Sequence, residues 1–278
     1  MRQTAGVEMV TPRTAKNWLA ASKGNRGNAA DSKRGLVDND RVQKYVGIIR
    51  RGEWQVNNDA ITFDSAGVLQ NGHHRLTAVV ESGIGIPILV LRGVDSSAYE
   101  TMDQGQKRTL AQILKDHGEL YATNLAALAN AAFMYAQGHY GVGTRTHGWP
   151  TYHQAVQFIE QNPEIRESVQ VATLTAGDLH CSPLALGLSH FLFTQLDAEE
   201  AEEFFAVLRS GEGLHPGDPI YELRERLLKD ARGPKGMSNK EQIALTIKAW
   251  NFWRRGEQIR YLRFVAGGSR PEQFPEPV

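Results

Sequence analysis

Residues 61–82 read ITFDSAGVLQNGHHRLTAVVES, and the architecture of the amino-terminal half turns on this stretch. Ile61-Thr62-Phe63-Asp64 alternates apolar and polar side chains, the period of a half-buried strand with Ile61 and Phe63 inward and Thr62 and Asp64 outward. Ser65-Ala66-Gly67 reads as a turn into Val68-Leu69. After Asn71-Gly72-His73-His74-Arg75 the spacing becomes helical through Leu76, Ala78, Val79 and Val80, and Ser82-Gly83 closes it. A helix start carries unpaired N–H groups and the positive end of the macrodipole, so it attracts anions. Arg75 adds a planar fork suited to phosphate, Gly72 allows close backbone approach, and His73 and His74 donate, accept or titrate. An ordinary hairpin leading to a solvated surface helix fits the same residues, and physics alone leaves the two readings level.

Working outward, Thr11-Pro12 is a helix start, with Thr as N-cap and Pro at the first helical position. That helix passes Trp18-Leu19-Ala20 and stops near Gly24. Residues 22–38 (SKGNRGNAADSKRGLVD) read as a mobile basic loop carrying Lys23, Arg26, Lys33 and Arg34. It is either a solvated surface loop or a flap over a polyanionic ligand. Asp38 caps a helix over 40–51, followed by a Gly52-Glu53-Trp54 turn. Downstream, residues 86–93 form a buried strand by length and composition. Ser96 or Ser97 caps a helix near 98–103, Gly105 interrupts it, and 108–117 resumes with Leu110, Ile113 and Leu114 on one face.

The Asn71-Gly72-His73-His74-Arg75 segment resembles the Asp-Gly-Gln-His-Arg signature of the ParB/sulfiredoxin superfamily, phage ParB-like proteins included, and is similar to the Gly-Glu-Arg-Arg box of ParB. The resemblance spans roughly residues 8–117. Thr101 to Leu110, with Asp103, Gln104, Gln106, Lys107 and Arg108, is similar in place and order to the family's Glu-Asn-x-Gln-Arg box, which contacts nucleotide phosphates and metal. Gln104 stands where the family has Asn. Asn25-Arg26 resembles the family's upstream phosphate-contacting arginine. Sulfiredoxins carry a catalytic cysteine at the position of His73, so cysteine-based sulfinic acid reduction is excluded here.

The resemblance implies a phage or mobile-element protein that binds a nucleoside triphosphate with Mg²⁺. Its phosphates would rest at Gly72, held by Asn71, His73, His74, Arg75 and the Gln104, Gln106, Lys107, Arg108 box, with Arg26 closing above. If the protein is catalytic, the reaction is phosphate chemistry, hydrolysis or phosphoryl transfer linked to DNA metabolism. His74 and Asp103 would assist proton transfer, Glu53 is a candidate general base, and Asp103 is the Mg²⁺ ligand. Two other readings stay open: a nuclease or DNA-modification factor, and a non-catalytic DNA-binding or assembly module. Zinc on His73, His74 and Asp64 or Asp103 is disfavoured, because adjacent histidines point apart.

Composition bounds the rest. The 278 residues suit one large or two modest domains, and 41% hydrophobic content supports a packed core. With 31 basic and 31 acidic residues the net charge is zero, so DNA binding would need local basic patches. One cysteine, Cys181, excludes an intramolecular disulfide and fits a reducing cytoplasm; beside His180 it reads as structural rather than nucleophilic. No apolar run is long enough for a membrane span. A homodimer is among the assemblies the chain allows.

After residue 118 the pattern is helical throughout. The expectation is therefore an α+β fold, with a ParB/sulfiredoxin-like lobe over 1–118 and an all-α lobe over 119–278. Helices are expected over 121–137, 151–161, 183–196, 197–209, 219–229 and 240–254, with another opening at Asn162-Pro163-Glu164. The Gly-rich stretch 138–150, holding His139, Arg145 and His147, matches no nucleotide-loop spacing and reads as a connector. Trp250, Trp253, Arg254, Arg255, Arg260, Tyr261 and Arg263 interleave aromatic and basic residues. That suits nucleic-acid stacking, or equally an amphipathic helix with its tryptophans in the core. From Gly267 the tail reads as extended.

Overall fold

The computed structural model describes residues 3–25, 39–95, 109–140, 149–231, 236–267 and 271–278. The chain is mixed α+β and divides into two compact units, residues 1–107 and 108–278. Among the described residues the strands all lie in the first unit, and the regular structure of the second is helical.

The first unit runs β1 (Thr4–Val10), α1 (Pro12–Asn25), α2 (Asn39–Arg50), β2 (Ile61–Asp64), β3 (Leu69–Asn71), α3 (His73–Ser82) and β4 (Ile86–Val94). The sheet order is β1-β4-β2-β3. β4 pairs antiparallel with β1, from Thr4↔Arg92 to Val10↔Ile86, and parallel with β2, while β2 and β3 form an antiparallel hairpin. Ile86, Ile88 and Val90 alternate onto one face of β4 and share a core with Ile61, Leu69, Val42, Val46, Ile49, Leu76 and Val79. Both α1 and α2 pack on α3. Gln43 donates to Glu81 Oε2 at 2.8 Å and Arg50 to the Glu81 carbonyl at 3.2 Å, fastening the end of α3 to α2. Gly83, at φ 74°, ends α3 in the left-handed conformation that favours glycine.

Two features depart from the sequence reading. β1 was not foreseen. The placement of Thr62 and Asp64 on the solvent face of β2 is also corrected: they are 3% and 6% exposed, and all four residues of β2 are buried. Asp64 turns its carboxylate into the hairpin. Oδ1 accepts from the Ala66 and Val68 N–H groups at 2.9 and 2.8 Å, and Oδ2 from Gln70 Nε2 at 2.7 Å. Three hydrogen bonds repay the burial of the charge, and they hold the turn at Gly67.

The second unit comprises α4 (Leu110–Asp116), α5 (Ala122–Ala136), α6 (Tyr152–Gln161), α7 (Ile165–Leu179), α8 (Pro183–Thr194), α9 (Ala198–Ser210), α10 (Pro219–Ala231) and α11 (Asn239–Arg254). Its helix starts are written in the chain. Thr109, Thr151 and Ser238 form capping boxes, and Ser182 and Asp197 accept from the backbone three residues on. α8 is the central helix, buried at Ala185–Phe191 and Phe193 and packed by α5, α7, α9 and α11. Leu110 and Leu114 belong to this core, so α4 joins the helical unit and the division falls at 107/108 rather than near 118.

Trp250 is fully buried, its ring stacked 4.3 Å from Phe193, and Arg254 lies on the rim with its guanidinium 5.3 Å from the indole. Of the two readings of this stretch, core packing holds for Trp250, and its indole is closed to a base. The final residues 271–278 are irregular but docked: Phe274 stacks on Tyr140 at 5.0 Å, and Trp250 Nε1 donates to the Val278 carbonyl at 3.2 Å. The helix expected near 98–103, the Asp38 cap, the loop over 26–38 and residues 141–148 with Arg145 and His147 lie outside the described residues.

Candidate functional site

β3 delivers Asn71 to the sheet opposite Thr62, and the chain turns at Gly72 directly into α3. Gly72 has φ 111°, and no side chain caps the helix there. A Cβ at Gly72 would lie 2.3 Å from Ile61 Cδ1. The glycine is therefore required for packing the helix start onto β2, a reason distinct from the ligand approach expected of it. Arg75, on the first turn, is 7% exposed, and its Nη2 donates to Asn71 Oδ1 at 3.3 Å. It is an internal brace between β3 and α3, where the sequence suggested a surface fork. His73 and His74 are half-buried at the first two helical positions.

The electrostatics of this turn run against the usual preference. Carboxylates stabilise a helix N-terminus and cations destabilise it, by about 0.3–1 kcal/mol each. The first turn of α3 holds His73, His74 and Arg75 and no acid. The first turns of α1, α4, α5, α6 and α8 also lack an acid, so what marks α3 is Arg75 with two histidines at a start that no side chain caps. An arriving anion would find the dipole and the side chains acting in the same sense.

The other expected site residues do not all converge on this turn. Glu53 follows the end of α2, and its carboxylate takes a bidentate pair from Arg51 at 2.8 and 3.0 Å. Beside it Trp54 donates to the Pro87 carbonyl, 2.8 Å away, so this turn is built into the fold of the unit. Asp64 has its oxygens committed to the hairpin, which removes it as a partner for His73 and His74. Arg26, Asp103, Gln104, Gln106, Lys107 and Arg108 lie outside the described residues. No group of three or more His, Cys, Asp or Glu side chains able to hold a metal occurs among the described residues, and Asp103, the expected Mg²⁺ ligand, lies outside them. No described helix is long and apolar enough to cross a membrane.

One polar constellation was missed. His190, in the apolar run of α8, is 1% exposed, with Nδ1 2.9 Å from Ser168 Oγ and Nε2 2.9 Å from Glu202 Oε1. The connectivity is that of a serine–histidine–acid relay. Ser168 is fully buried in α7, with the Glu164 carbonyl and His190 Nδ1 as alternative acceptors for its one hydroxyl proton, so no substrate reaches it and the network is structural. A histidine inside an apolar helix is the signal that such partners exist; their positions, 22 and 12 residues away, are not in the local pattern. Cys181 is half-buried, and burial pushes its thiol up to about 12, which removes it as a nucleophile.

Comparison with protein-family models, with curated proteins and with solved structures found no match.

Proposed function

We propose that the first unit binds the phosphates of a nucleotide at the start of α3. The observation that carries the reading is the make-up of that turn: Arg75 and two imidazoles, His73 and His74, stand at the positive end of a helix that lacks both an acid and a side-chain cap. The phosphate oxygens accept from the first backbone N–H groups, and His73 and His74 flank them. Arg75, fixed by Asn71, adds positive potential from beneath the turn rather than a direct fork. The resemblance to the ParB/sulfiredoxin superfamily, and the arrangement of the first unit it implies, support a nucleoside triphosphate as the ligand. In this reading His74 is the group on the turn placed to exchange a proton in phosphate hydrolysis or transfer.

Thermal melting of the full chain with each common nucleoside triphosphate, with and without Mg²⁺, tests the proposal. A ligand at a hundred times its Kd stabilises the native state by about 2.7 kcal/mol. At least one nucleotide should raise the melting temperature of the wild type and not that of Arg75→Ala. Because Arg75 is buried, circular dichroism must show that variant folded; His74→Ala, at a half-buried position, is the second probe and should reduce the shift. No shift with any nucleotide, or equal shifts in the wild type and both folded variants, contradicts the reading.

A further inference from the structure

The helical unit carries a second feature that the α3 site does not use, a groove of about 970 Å³ between α10 and the chain that follows α11. α10 buries Leu223 and Leu227, which leaves Glu222, Glu225, Arg226 and Lys229 along the groove wall. The facing segment is pinned at three points. Ile259 N–H donates to the Gly217 carbonyl at 2.8 Å, Lys248 Nζ to the Arg263 carbonyl at 2.8 Å, and Leu262 is buried in the core. With Leu262 inward, its neighbours Tyr261 and Arg263 face the groove.

Tyr261 is 84% exposed, the most exposed of the large apolar and aromatic side chains described. A single exposed aromatic is unremarkable by itself. What distinguishes this one is its setting on a fixed segment, in a groove with Arg226, Lys229 and Arg263; among the described residues Arg226 and Lys229 enter no ion pair, and Arg263 lies near enough to Glu272 to help hold its carboxyl below the usual range. The groove also holds two carboxylates, Glu225 and Glu222, the latter accepting from the Gly217 N–H at 3.2 Å, so its cations exceed its acids by one. A flat ring beside several cations matches a ligand with flat faces and regularly spaced negative charges.

We propose that this groove binds a short stretch of single-stranded nucleic acid, with one base stacked on Tyr261 and backbone phosphates against Arg226, Lys229 and Arg263. A duplex hides its base faces from a lone ring, and an acidic peptide offers nothing for the ring to stack on. Glu222 and Glu225 at the same rim keep the affinity modest, and the cation–phosphate contacts make it salt-sensitive.

Fluorescence anisotropy of labelled dT12 and rU12 with the full chain tests this, the two oligomers separating DNA from RNA. Three phosphate contacts set a slope of about −2 in log affinity against log salt. Tyr261→Ala should weaken binding about 5- to 150-fold, the range for loss of one base–aromatic stack, while Tyr261→Phe keeps it. Tyr261 is exposed, so neither change threatens the fold. Arg226→Glu combined with Lys229→Glu should abolish binding. Tyr261→Ala should leave the nucleoside triphosphate melting shift of the wild type unchanged, so failure of the α3 proposal and failure of this one are separable. The proposal is overturned if neither oligomer binds at low salt, if Tyr261→Ala binds like the wild type, or if poly-glutamate competes as well as dT12.

Discussion

Arg75 Nη2 donates to Asn71 Oδ1 at 3.3 Å, tying the first turn of α3 to the last residue of β3. The strand, the glycine and the helix start thus form one braced corner. The charge of the corner and its packing are separable properties, and each has its own test.

The packing rests on Gly72. Gly72→Ala meets two costs: a left-handed φ, and a Cβ only 2.3 Å from Ile61 Cδ1. Together these should lower stability by about 2–4 kcal/mol, read as a lower urea midpoint at unchanged slope. Ile61→Val removes the clashing Cδ1. In that background Gly72→Ala should cost less, leaving mainly the backbone strain; equal costs in both backgrounds would show that Ile61 is not the obstacle.

The charge rests on the absence of an acid. His73→Asp places a carboxylate at the first helical position of α3, where the dipole favours it by about 0.3–1 kcal/mol. The variant is expected to be as stable as the wild type or more so, and to bind phosphate-bearing ligands more weakly. Equilibrium unfolding and nucleotide titration check the two halves. A variant less stable and unchanged in binding would mean that the turn is not tuned for anions.

His190 makes the helical unit acid-sensitive. Burial holds its imidazole below the ordinary value of 6.5; Glu202, and then Glu167, pull the other way without overcoming it. Ser168, Thr194 and the Phe205 ring complete its surroundings. The unfolded chain takes up the proton first, so the contribution of neutral His190 is full above about pH 6.5 and declines as pH falls toward the depressed folded value. Urea midpoints measured from pH 7.5 down to 5 should fall more steeply for the wild type than for His190→Gln. Parallel curves would exclude this titration as a cause.

Cys181 should be inert in the native protein. With its thiol pushed up to about 12, the thiolate is scarce at pH 8, and alkylation by iodoacetamide should proceed much more slowly than in the unfolded chain. Labelling in 6 M urea supplies the reference rate. Native labelling at that same rate would contradict the burial assigned to the residue.

Much of this was legible in the sequence where local chemistry decides. The 61–83 hairpin and helix, the helix starts near 151 and 197, and the apolar run of α8 follow from turn residues, side-chain caps and periodicity. The strand β1 escaped notice because Thr4 to Val7 are exposed and Gly6 breaks the alternation. It exists through pairing with β4, more than 70 residues away, from Thr4↔Arg92 to Val10↔Ile86. Asp64 escaped because alternation predicts only which way a side chain points, whereas its carboxylate curls back to close its own turn. The sequence placed the start of α3 at Gly72–His73, where it lies. It could not say that Gly72 is pressed on Ile61 or that Arg75 is internal, since both depend on how deeply the helix sits on the sheet.

The most direct measurement is the backbone amide NMR spectrum of the full chain titrated with inorganic triphosphate. If the start of α3 grips phosphate oxygens, the amides of His73, His74 and Arg75 shift first and most, saturably, and His73→Asp suppresses the response. If those three amides stay in place while others move, or if nothing shifts at millimolar triphosphate, the start of α3 does not bind phosphate.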